Sequence, residues 1–339
     1  MVKVFTSRPG ILCAFAVILS LLGLTACGGS STKSVSYKNP IYNRDFPDPF
    51  VLVDGKTFYG YATNGNMRNV QEIKSKDLVH WTLGNDALPV TPRWVDSNVW
   101  APDVYKLKNG TFVMFYSAHD SSLNVECLGR ATSKNPAGPF IDRSAKPYLC
   151  QSSLGGDIDP AVFNDNGQLY LYWKNDGNCC GDQVFLWGQK LASDGNTLEG
   201  KPVKLTGLVD TWEEGIIEGP FMWMHAGKFY LFFSGGNYDS VSYSTGYATC
   251  KGPLGPCKQA PNPLLQYTPP CVASGPGGES IFTDAKGQDW IVYHAWGSSV
   301  GYEVGGQRML WMDRLDWQNG KPVVHGPDCK LQQGPAIPG

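Results

Sequence analysis

Apolar and aromatic residues occur along this chain in short runs that partly alternate with polar residues and are separated by glycine turns. The same arrangement is found five times: an acidic residue beside Pro or Gly, an apolar run, a glycine turn, and a second run rich in aromatic residues. The acidic residues that open the five copies are Asp48, Asp103, Asp159, Glu218 and Glu279. They lie 55, 56, 59 and 61 residues apart, and a nearly constant spacing of this kind indicates a repeat architecture.

These runs are typical of β-strands rather than helices. They are short, rich in Val, Phe, Tyr and Trp, and bounded by Asp-Gly, Asn-Gly and Lys-Gly turns. A further strand-like stretch follows each aromatic run, which gives about four strands per copy. Four-stranded sheets repeated around an axis form a β-propeller. The pattern therefore predicts an all-β chain in which a single five-bladed β-propeller occupies residues 39–339.

The innermost strands of a propeller run beside its central axis, so residues at equivalent strand starts meet at one mouth of the channel. Asp48 and Asp159 each precede a proline, and Glu218 precedes Gly-Pro. Turn chemistry alone would explain any one of these motifs. Three of them in register, from different blades, instead predict a cluster of carboxylates on a fixed backbone.

Three carboxyl groups around one pocket can hydrolyse a glycosidic bond. One carboxylate deprotonates an attacking water, a carboxylic acid protonates the leaving oxygen, and a third negative charge keeps that acid protonated by repulsion. A propeller that only binds carbohydrate is a weaker alternative, because unpaired charges are costly to bury and binding does not require them. A scaffold for protein partners would explain the repeat but not the acids.

The N-terminal segment differs in composition from the rest of the chain. Lys3 and Arg8 precede an apolar run over 11–24 that is followed by small residues. This is typical of an export signal, and the run is too short to favour a membrane-spanning helix. The tetrad LTAC, which ends at Cys27, also resembles the lipobox of bacterial lipoproteins. We expect a signal peptide over 1–26, a lipid anchor on Cys27 and a flexible tether over 27–38; an ordinary signal peptide is the alternative.

The charge balance argues against a nucleic-acid partner. The chain has 28 basic and 30 acidic residues, and loss of Lys3 and Arg8 on export would leave 26 basic residues. No run of Lys or Arg occurs, whereas affinity for a phosphate backbone needs clustered cations.

Eight of the ten cysteines lie beyond Cys27. An even number in an exported chain favours disulfides over thiol chemistry. Cys250 and Cys257, on a Gly/Pro loop, are the most credible pair, while Cys179 and Cys180 could form a vicinal bridge or find separate partners. A zinc site is not favoured, because the chain has no CxxC pair and no His at ligand spacing from these cysteines.

The motifs FPDP, NVWAPDV, DIDPAVF, EGPF and YHAW together resemble those of the five-bladed family 43 glycoside hydrolases over residues 39–325. The resemblance implies an inverting mechanism in which Asp48 is the general base and Glu218 the general acid. Asp159 would then orient the acid and tune its pKa. Inversion places a water between base and sugar, so the two catalytic carboxyl groups are expected about 6.5–9.5 Å apart.

The resemblance also implies roles for four further residues. Trp100 would pack against the sugar, Arg308 would reach it, Phe46 would form part of the pocket wall, and His294 would hold a water or an ion in the central channel. Because calcium prefers oxygen ligands, a single His implies at most one hydrated structural ion, and no cofactor is required. Taken singly, Trp100 and His294 could be core residues, and Arg308 a cation that closes the blade.

Members of this type cleave α-L-arabinofuranosides or β-D-xylosides. Short loops, and no β-sandwich segment before Gly339, resemble the arabinan-active members more than the two-domain xylosidases. We expect a monomeric, exo-acting α-L-arabinofuranosidase of arabinose- or xylose-containing polysaccharides, exported and held at the membrane only through its anchor. A β-D-xylosidase and an endo-arabinanase remain open. Retaining fructosidases are disfavoured, because they typically have Cys where this chain has Gly219 and Arg where it has Ile158.

Overall fold

A computed structural model describes residues 35–337. The expected signal peptide over 1–26, the expected lipid anchor Cys27 and the tether up to residue 34 lie outside the described residues. Within the described part of the chain, no helix is both long and apolar enough to cross a membrane. The regular secondary structure of the described residues consists of β-strands, with a few single 3₁₀ turns.

Five antiparallel sheets are arranged in a ring as a five-bladed β-propeller, which confirms the predicted fold. In each blade the chain runs from the innermost strand outwards. The strands of blade one are Phe50–Asp54, Thr57–Ala62, Gln71–Ser75 and Trp81–Leu83. Those of blade two are Val95–Lys106, Phe112–Asp120 and Val125–Ser133.

The remaining blades follow the same order. The strands of blade three are Asp157–Asp165, Gln168–Asn175, Phe185–Leu191 and Leu198–Gly207. Those of blade four are Ile217–His225, Lys228–Gly235, Ser244–Cys250 and Cys257–Gln259. Blade five is built from Ser274–Thr283, Asp289–Trp296 and Arg308–Gln318, to which Lys321–Val324 is also paired.

The N-terminal segment closes the ring. Tyr42–Asp45 pairs with Arg308–Gln318 and so forms an outer strand of the last blade. Just before it, the buried Asn39 side chain donates to the carbonyl of Met312 at 2.8 Å and accepts the Met312 N–H at 3.0 Å. Residues from the two ends of the described chain therefore share one sheet.

Blade two has three strands, not the predicted four. The segment after Ser133 makes only isolated bridges to its neighbour, at Ile141 and Leu149. That segment contains Pro136, Pro139 and Pro147, and proline has no N–H to donate to a strand ladder. The local sequence therefore follows the edge of the blade without pairing regularly.

Aromatic side chains fill the spaces between blades. The second strand of each blade is almost wholly buried, and its alternate residues face the two neighbouring sheets. Between blades one and two, for example, Tyr61, Trp94, Tyr116 and Phe140 belong to one apolar cluster. Burying aromatic rings of this size supplies a large hydrophobic stabilisation, which explains the aromatic run found in every copy of the repeat.

Each blade has a left-handed residue that lines the cleft, either within its innermost strand or, in blade one, two residues before it. These residues are Asp48, Ala101, Asp159, Gly219 and Gly278, with φ of 51°, 43°, 57°, 62° and 60°. In blades two to five the strand pairing shifts at this point, as expected for a β-bulge. Proline follows in the first four blades, where its missing N–H suits a break in the ladder.

The bulges revise the alignment of the five opening acids. Asp48 and Asp159 occupy the left-handed position itself, whereas Glu218 precedes it by one residue. Asp103 follows it by two residues and Glu279 by one. The five acids are therefore not at equivalent backbone positions. Their side chains also differ in direction, because a shift of one residue at a bulge turns a side chain to the other face of the strand.

Disulfides join Cys127 to Cys150, Cys179 to Cys180, and Cys250 to Cys257. The expected Cys250–Cys257 pair is present, and Cys179 and Cys180 form the vicinal bridge. Cys271 and Cys329 do not form a disulfide in this structure. Burial raises the pKa of Cys271 to about 12, and the nearby Cys329 thiol adds to this effect.

Candidate active site

A cleft of about 600 Å³ lies at the mouth of the channel and is lined by residues from all five blades. The three predicted catalytic acids, Asp48, Asp159 and Glu218, line it together. Trp100 and Arg308 also line it. The ring thus brings side chains more than two hundred residues apart in the sequence into one sugar-sized space.

Asp48 is held from three sides. Thr63 donates its hydroxyl proton to Oδ2 at 2.5 Å, and the Thr63 oxygen accepts the Ala101 N–H at 2.9 Å, which fixes the direction of the hydroxyl. Arg308 Nη1 lies 3.4 Å from Oδ1. The Asp48 backbone N–H donates to Nδ1 of His294 at 3.1 Å. These contacts fix the position and direction of the Asp48 carboxyl group, as a general base requires.

Asp159 is anchored through its backbone and its carboxylate. Its N–H donates to the hydroxyl of Ser117 at 2.9 Å, and its Oδ2 accepts the Gly219 N–H at 2.9 Å. Since Gly219 follows Glu218 directly, this bond fixes the Asp159 carboxylate beside the Glu218 backbone. Burial raises the pKa of Asp159 well above its usual range, and the Glu218 carboxylate raises it further.

Glu218 contacts two side chains that the motifs did not indicate. Lys174 Nζ donates to Oε2 at 3.0 Å, and the Tyr243 hydroxyl donates to Oε1 at 2.8 Å. Burial raises the pKa of Tyr243 well above its usual range, with Glu218 adding to the effect, so the phenol stays protonated. The Glu218 carboxylate contributes to the raised pKa of Asp159, so the two acids form an interacting pair in which negative charge on one disfavours negative charge on the other.

Arg308 lies in a cage of aromatic rings. Its guanidinium carbon is 4.8, 5.6 and 5.9 Å from the ring centres of Tyr238, Tyr302 and Trp296, and Nε donates to the Tyr302 hydroxyl at 3.1 Å. Tyr302 in turn donates to Asp45 Oδ1 at 3.1 Å. Cation–π contacts hold a guanidinium in place without neutralising it, so Arg308 remains a charged donor at the cleft.

His294 is fully buried and stacks on Tyr243. Gly278 allows His294 and Asp48 to approach each other. A Cβ on this residue would lie only 2.7 Å from His294 Nδ1 and 2.9 Å from Asp48 Oδ1, so a larger residue would not fit between them. Burial, with Arg308 nearby, lowers the pKa of His294 well below its usual range. The ring is therefore neutral, and because Nδ1 accepts the Asp48 N–H, its proton is on Nε2.

This tautomer does not suit a directly bound calcium ion. Nε2 of His294 is a buried donor for which the described residues provide no acceptor, so it fits a water oxygen better than a cation. Within 35–337, no group of three or more His, Cys, Asp or Glu side chains is arranged to hold a metal ion. An ion near His294 would therefore be coordinated mainly by water, and the hydrated ion stays a prediction.

Phe46 does not form part of the cleft wall. Its side chain is fully buried in the core between blades one and five and packs edge-on against Tyr42, with ring centres 5.6 Å apart. Phe46 precedes the left-handed Asp48 by two residues, and the backbone turns it towards the core. Trp100, by contrast, is partly exposed to the cleft.

Comparison with known proteins decides the family. The model of glycosyl hydrolases family 43 matches residues 37–322. The chain belongs to this family. Its fold matches the crystal structure of a thermostable family-43 glycoside hydrolase with a TM-score of 0.80 and 32% identity, covering 88% of this chain and 99% of that one.

Two relatives of this chain have different named activities. The chain is 28% identical to β-D-galactofuranosidase xynD of Aspergillus niger over 283 residues, which are 78% of each protein. It is 29% identical to an extracellular endo-α-(1→5)-L-arabinanase of Thermotoga petrophila over 248 residues, 62% of this chain and 50% of that protein. Family membership makes the chain a glycosidase and disfavours the binding-module and scaffold alternatives.

Sequence motifs missed the residues that support the acids. Lys174 and Asp176 follow the aromatic run of blade three, and Tyr243 precedes the third strand of blade four. One signal was available: a lysine at the end of the run LYLYWK is unusual, because lysine is almost never fully buried unless it is paired. The partner, Glu218, is 44 residues away.

Asp103 offers a test of the electrostatics at the cleft floor. It is buried, its Oδ2 has no hydrogen-bond partner among the described residues, and burial raises its pKa to about 8. The usual pKa of Asp is about 3.9, so between pH 4 and 8 the folded state holds a proton that the unfolded state has released. This contribution to stability therefore falls as the pH rises across that window.

We expect Asp103→Asn, which cannot ionise, to raise the melting temperature at pH 8.5 by several degrees more than it does at pH 5. Thermal unfolding followed by circular dichroism at both pH values measures this. Glu199→Gln, on the exposed outer strand of blade three, is the control and should shift both values little. A Asp103→Asn effect that is equal at the two pH values would contradict the raised pKa.

Proposed function

We propose that this chain is an inverting, exo-acting α-L-arabinofuranosidase that releases arabinose from arabinan or arabinoxylan. The observation that supports it most is the meeting of Asp48, Asp159 and Glu218 in one cleft. Two carboxyl groups on opposite sides of a sugar can supply the base and the acid of an inverting hydrolysis. The reaction as proposed needs no cofactor.

The proposed mechanism assigns one proton transfer to each side of the sugar. Asp48, held in position by Arg308 and Thr63, takes a proton from water, whose oxygen attacks the anomeric carbon. Glu218 gives a proton to the leaving oxygen as the glycosidic bond breaks. Asp159 repels a second negative charge and so keeps the proton on the pair until it is needed. Trp100 provides an aromatic face for the sugar ring.

The names of the relatives favour a five-membered sugar ring. One relative is a galactofuranosidase and the other an arabinanase. β-D-galactofuranose and α-L-arabinofuranose have the same ring configuration and differ in the length of the exocyclic chain. We therefore place arabinofuranosides first and β-D-galactofuranosides second, and we keep β-D-xylosides and internal cleavage of arabinan as outcomes of the test.

We expect kcat/KM to be highest on 4-nitrophenyl α-L-arabinofuranoside, at least about tenfold above the β-D-galactofuranoside and the β-D-xyloside. Linear arabinan should yield free arabinose, because exo action removes one unit at a time. Proton NMR of the first turnovers should show the β-anomer of arabinose. Oligosaccharides from linear arabinan would indicate endo action, retention of the α-anomer would contradict inversion, and no activity on the whole panel would reject the proposal.

The assignment of acid and base has its own signature. Glu218→Gln should lower kcat/KM on arabino-oligosaccharides by about 10²- to 10⁴-fold. It should affect a 2,4-dinitrophenyl arabinofuranoside far less, because that leaving group needs no proton. Asp48→Asn should inactivate the enzyme on both substrates, since both need the activated water. An equal loss on the two substrates in Glu218→Gln would remove Glu218 as the acid.

We further propose that the chain is exported and held at the membrane by a lipid on Cys27. The composition of residues 1–26 supports export, as does the word extracellular in the name of the arabinanase relative. Cys27→Ala should move the protein from the membrane fraction to the soluble fraction and leave kcat/KM unchanged, because Cys27 lies outside residues 39–325, which contain the catalytic motifs. Retention of the variant in the membrane fraction would contradict the anchor.

A further inference from the structure

Lys174 lies next to the end of a buried, largely apolar strand, in a place where an unpaired charge would be costly. It belongs to Gln168–Asn175 and is paired in register with Ile158, the residue before Asp159. Its side chain is only 1% exposed, and Nζ is 3.0 Å from Glu218 Oε2 and 3.2 Å from Asp176 Oδ1. The ammonium thus joins the acid of blade four to blade three.

We propose that Lys174 is a positioning residue for the general acid: its ammonium stabilises the Glu218 carboxylate as the proton leaves, and Asp176 limits that effect by sharing the ammonium. This inference rests on the proposed role of Glu218 as general acid. Beyond that role, the inference assigns to Lys174 and Asp176 the control of the acid strength of Glu218.

The groups that face Glu218 come from every blade but one. They are Lys174, Asp176 and Asp159 from blade three, Tyr243 from blade four, Glu279 from blade five and Asp48 from blade one. Lys174 is the cation among them, and the others are acids or a phenol. Burial lowers the pKa of Lys174, but the carboxylates of Glu218, Asp176 and Asp159 raise it by more, so the ammonium keeps its charge.

The donors around Glu218 also indicate which oxygen carries the proton. An ammonium has donors and no acceptor, so Lys174 reserves Oε2 as an acceptor. A phenol can both donate and accept, and the Tyr243 hydroxyl lies 2.8 Å from Oε1. The Tyr243 oxygen can therefore accept a hydrogen bond from a protonated Oε1, whereas the ammonium cannot accept one from Oε2. On this basis we place the transferable proton of the proposed acid on Oε1.

The step balances without any further reagent. The Oε1–H bond of Glu218 breaks and its proton binds the leaving oxygen, which keeps the electron pair of the glycosidic bond. Asp48 takes the proton of the attacking water. Glu218 is then a carboxylate beside an ammonium, Asp48 is neutral, and proton exchange with solvent restores the starting state. A more acidic Glu218 makes the first transfer easier but loses its resting proton at a lower pH.

Asp176 is placed where it can weaken the electrostatic effect of the Lys174 ammonium on Glu218. Its carboxylate contacts Lys174 and does not cap the 3₁₀ turn Gly177–Cys179 that follows. Replacing it with Asn therefore removes a charge without removing a cap. Loss of this anion leaves the ammonium acting more fully on Glu218, whereas loss of Lys174 leaves Glu218 among anions. The two changes should move the acidity of Glu218 in opposite directions.

The experiment compares kcat/KM against pH for wild type, Lys174→Met, Lys174→Arg and Asp176→Asn. Substrates are an arabino-oligosaccharide and 2,4-dinitrophenyl α-L-arabinofuranoside. The basic limb reports the proton of the free enzyme's acid. It should move up by about 1–3 pH units in Lys174→Met, as expected for removing an adjacent opposite charge, and down in Asp176→Asn. Lys174→Arg should keep the limb near that of wild type.

Leaving-group dependence gives the second readout. In Lys174→Met the plateau kcat/KM should fall roughly tenfold on the oligosaccharide and much less on the dinitrophenyl glycoside, because Glu218 has become a weaker acid. Lys190→Met removes an exposed charge from the same blade and is the matched control, with no shift expected. Folding of every variant is checked by circular dichroism.

Shifts in the same direction in Lys174→Met and Asp176→Asn, or no shift in either, would overturn the inference, since a purely structural pair would lose activity without moving the limb in opposite senses. If Lys174→Met does not fold, the downward shift in Asp176→Asn still decides. Glu218→Gln separates the two levels: if it shows leaving-group dependence, the acid role stands and only Lys174 is in question. If it does not, the failure belongs to the proposed function.

Discussion

Repulsion between carboxylates at the channel mouth is the constraint on which the rest of the site depends. Asp48, Asp159 and Glu218 line one cleft with Asp176 and Glu279 beside them. Such a cluster is stable only if cations or protons offset the charge. Arg308 stands next to Asp48 and Lys174 next to Glu218, so each proposed catalytic partner has one cation. Burial and the Glu218 carboxylate raise the pKa of Asp159, which lets a proton offset part of the remaining charge.

The backbone is what allows these side chains to approach one another. A left-handed residue near the mouth of each inner strand costs energy when it is not glycine, and both Asp48 and Asp159 adopt this conformation. Their N–H groups are then used by His294 and Ser117 rather than by the strand ladder. A local bulge thus provides both a defined side-chain direction and an anchor to the next element. The packed aromatic residues between the blades hold this strained arrangement in place.

The sequence could predict those features of the fold and the site that depend on short stretches of neighbouring residues. The all-β propeller, the five copies and the three acids of the cleft all follow from short motifs that recur at nearly constant spacing. The prediction that Phe46 forms part of the pocket wall was wrong. The direction of its side chain depends on the left-handed conformation of Asp48, and an Asp-Pro motif does not reveal that conformation. Lys174 and Tyr243 were missed because their contacts cross from one strand or blade to another. The fourth strand of blade two was overpredicted where prolines interrupt pairing.

The way in which the ring closes has a consequence for how the chain reaches its native state. Tyr42–Asp45 is synthesised before the five inner strands, but its neighbour Arg308–Gln318 is synthesised more than two hundred residues later. Until then the earlier strand has no partner, and an unpaired strand is a template for wrong association. If the chain crosses a membrane in an extended form, folding begins only after export, when both of these strands are on the same side and can pair with each other.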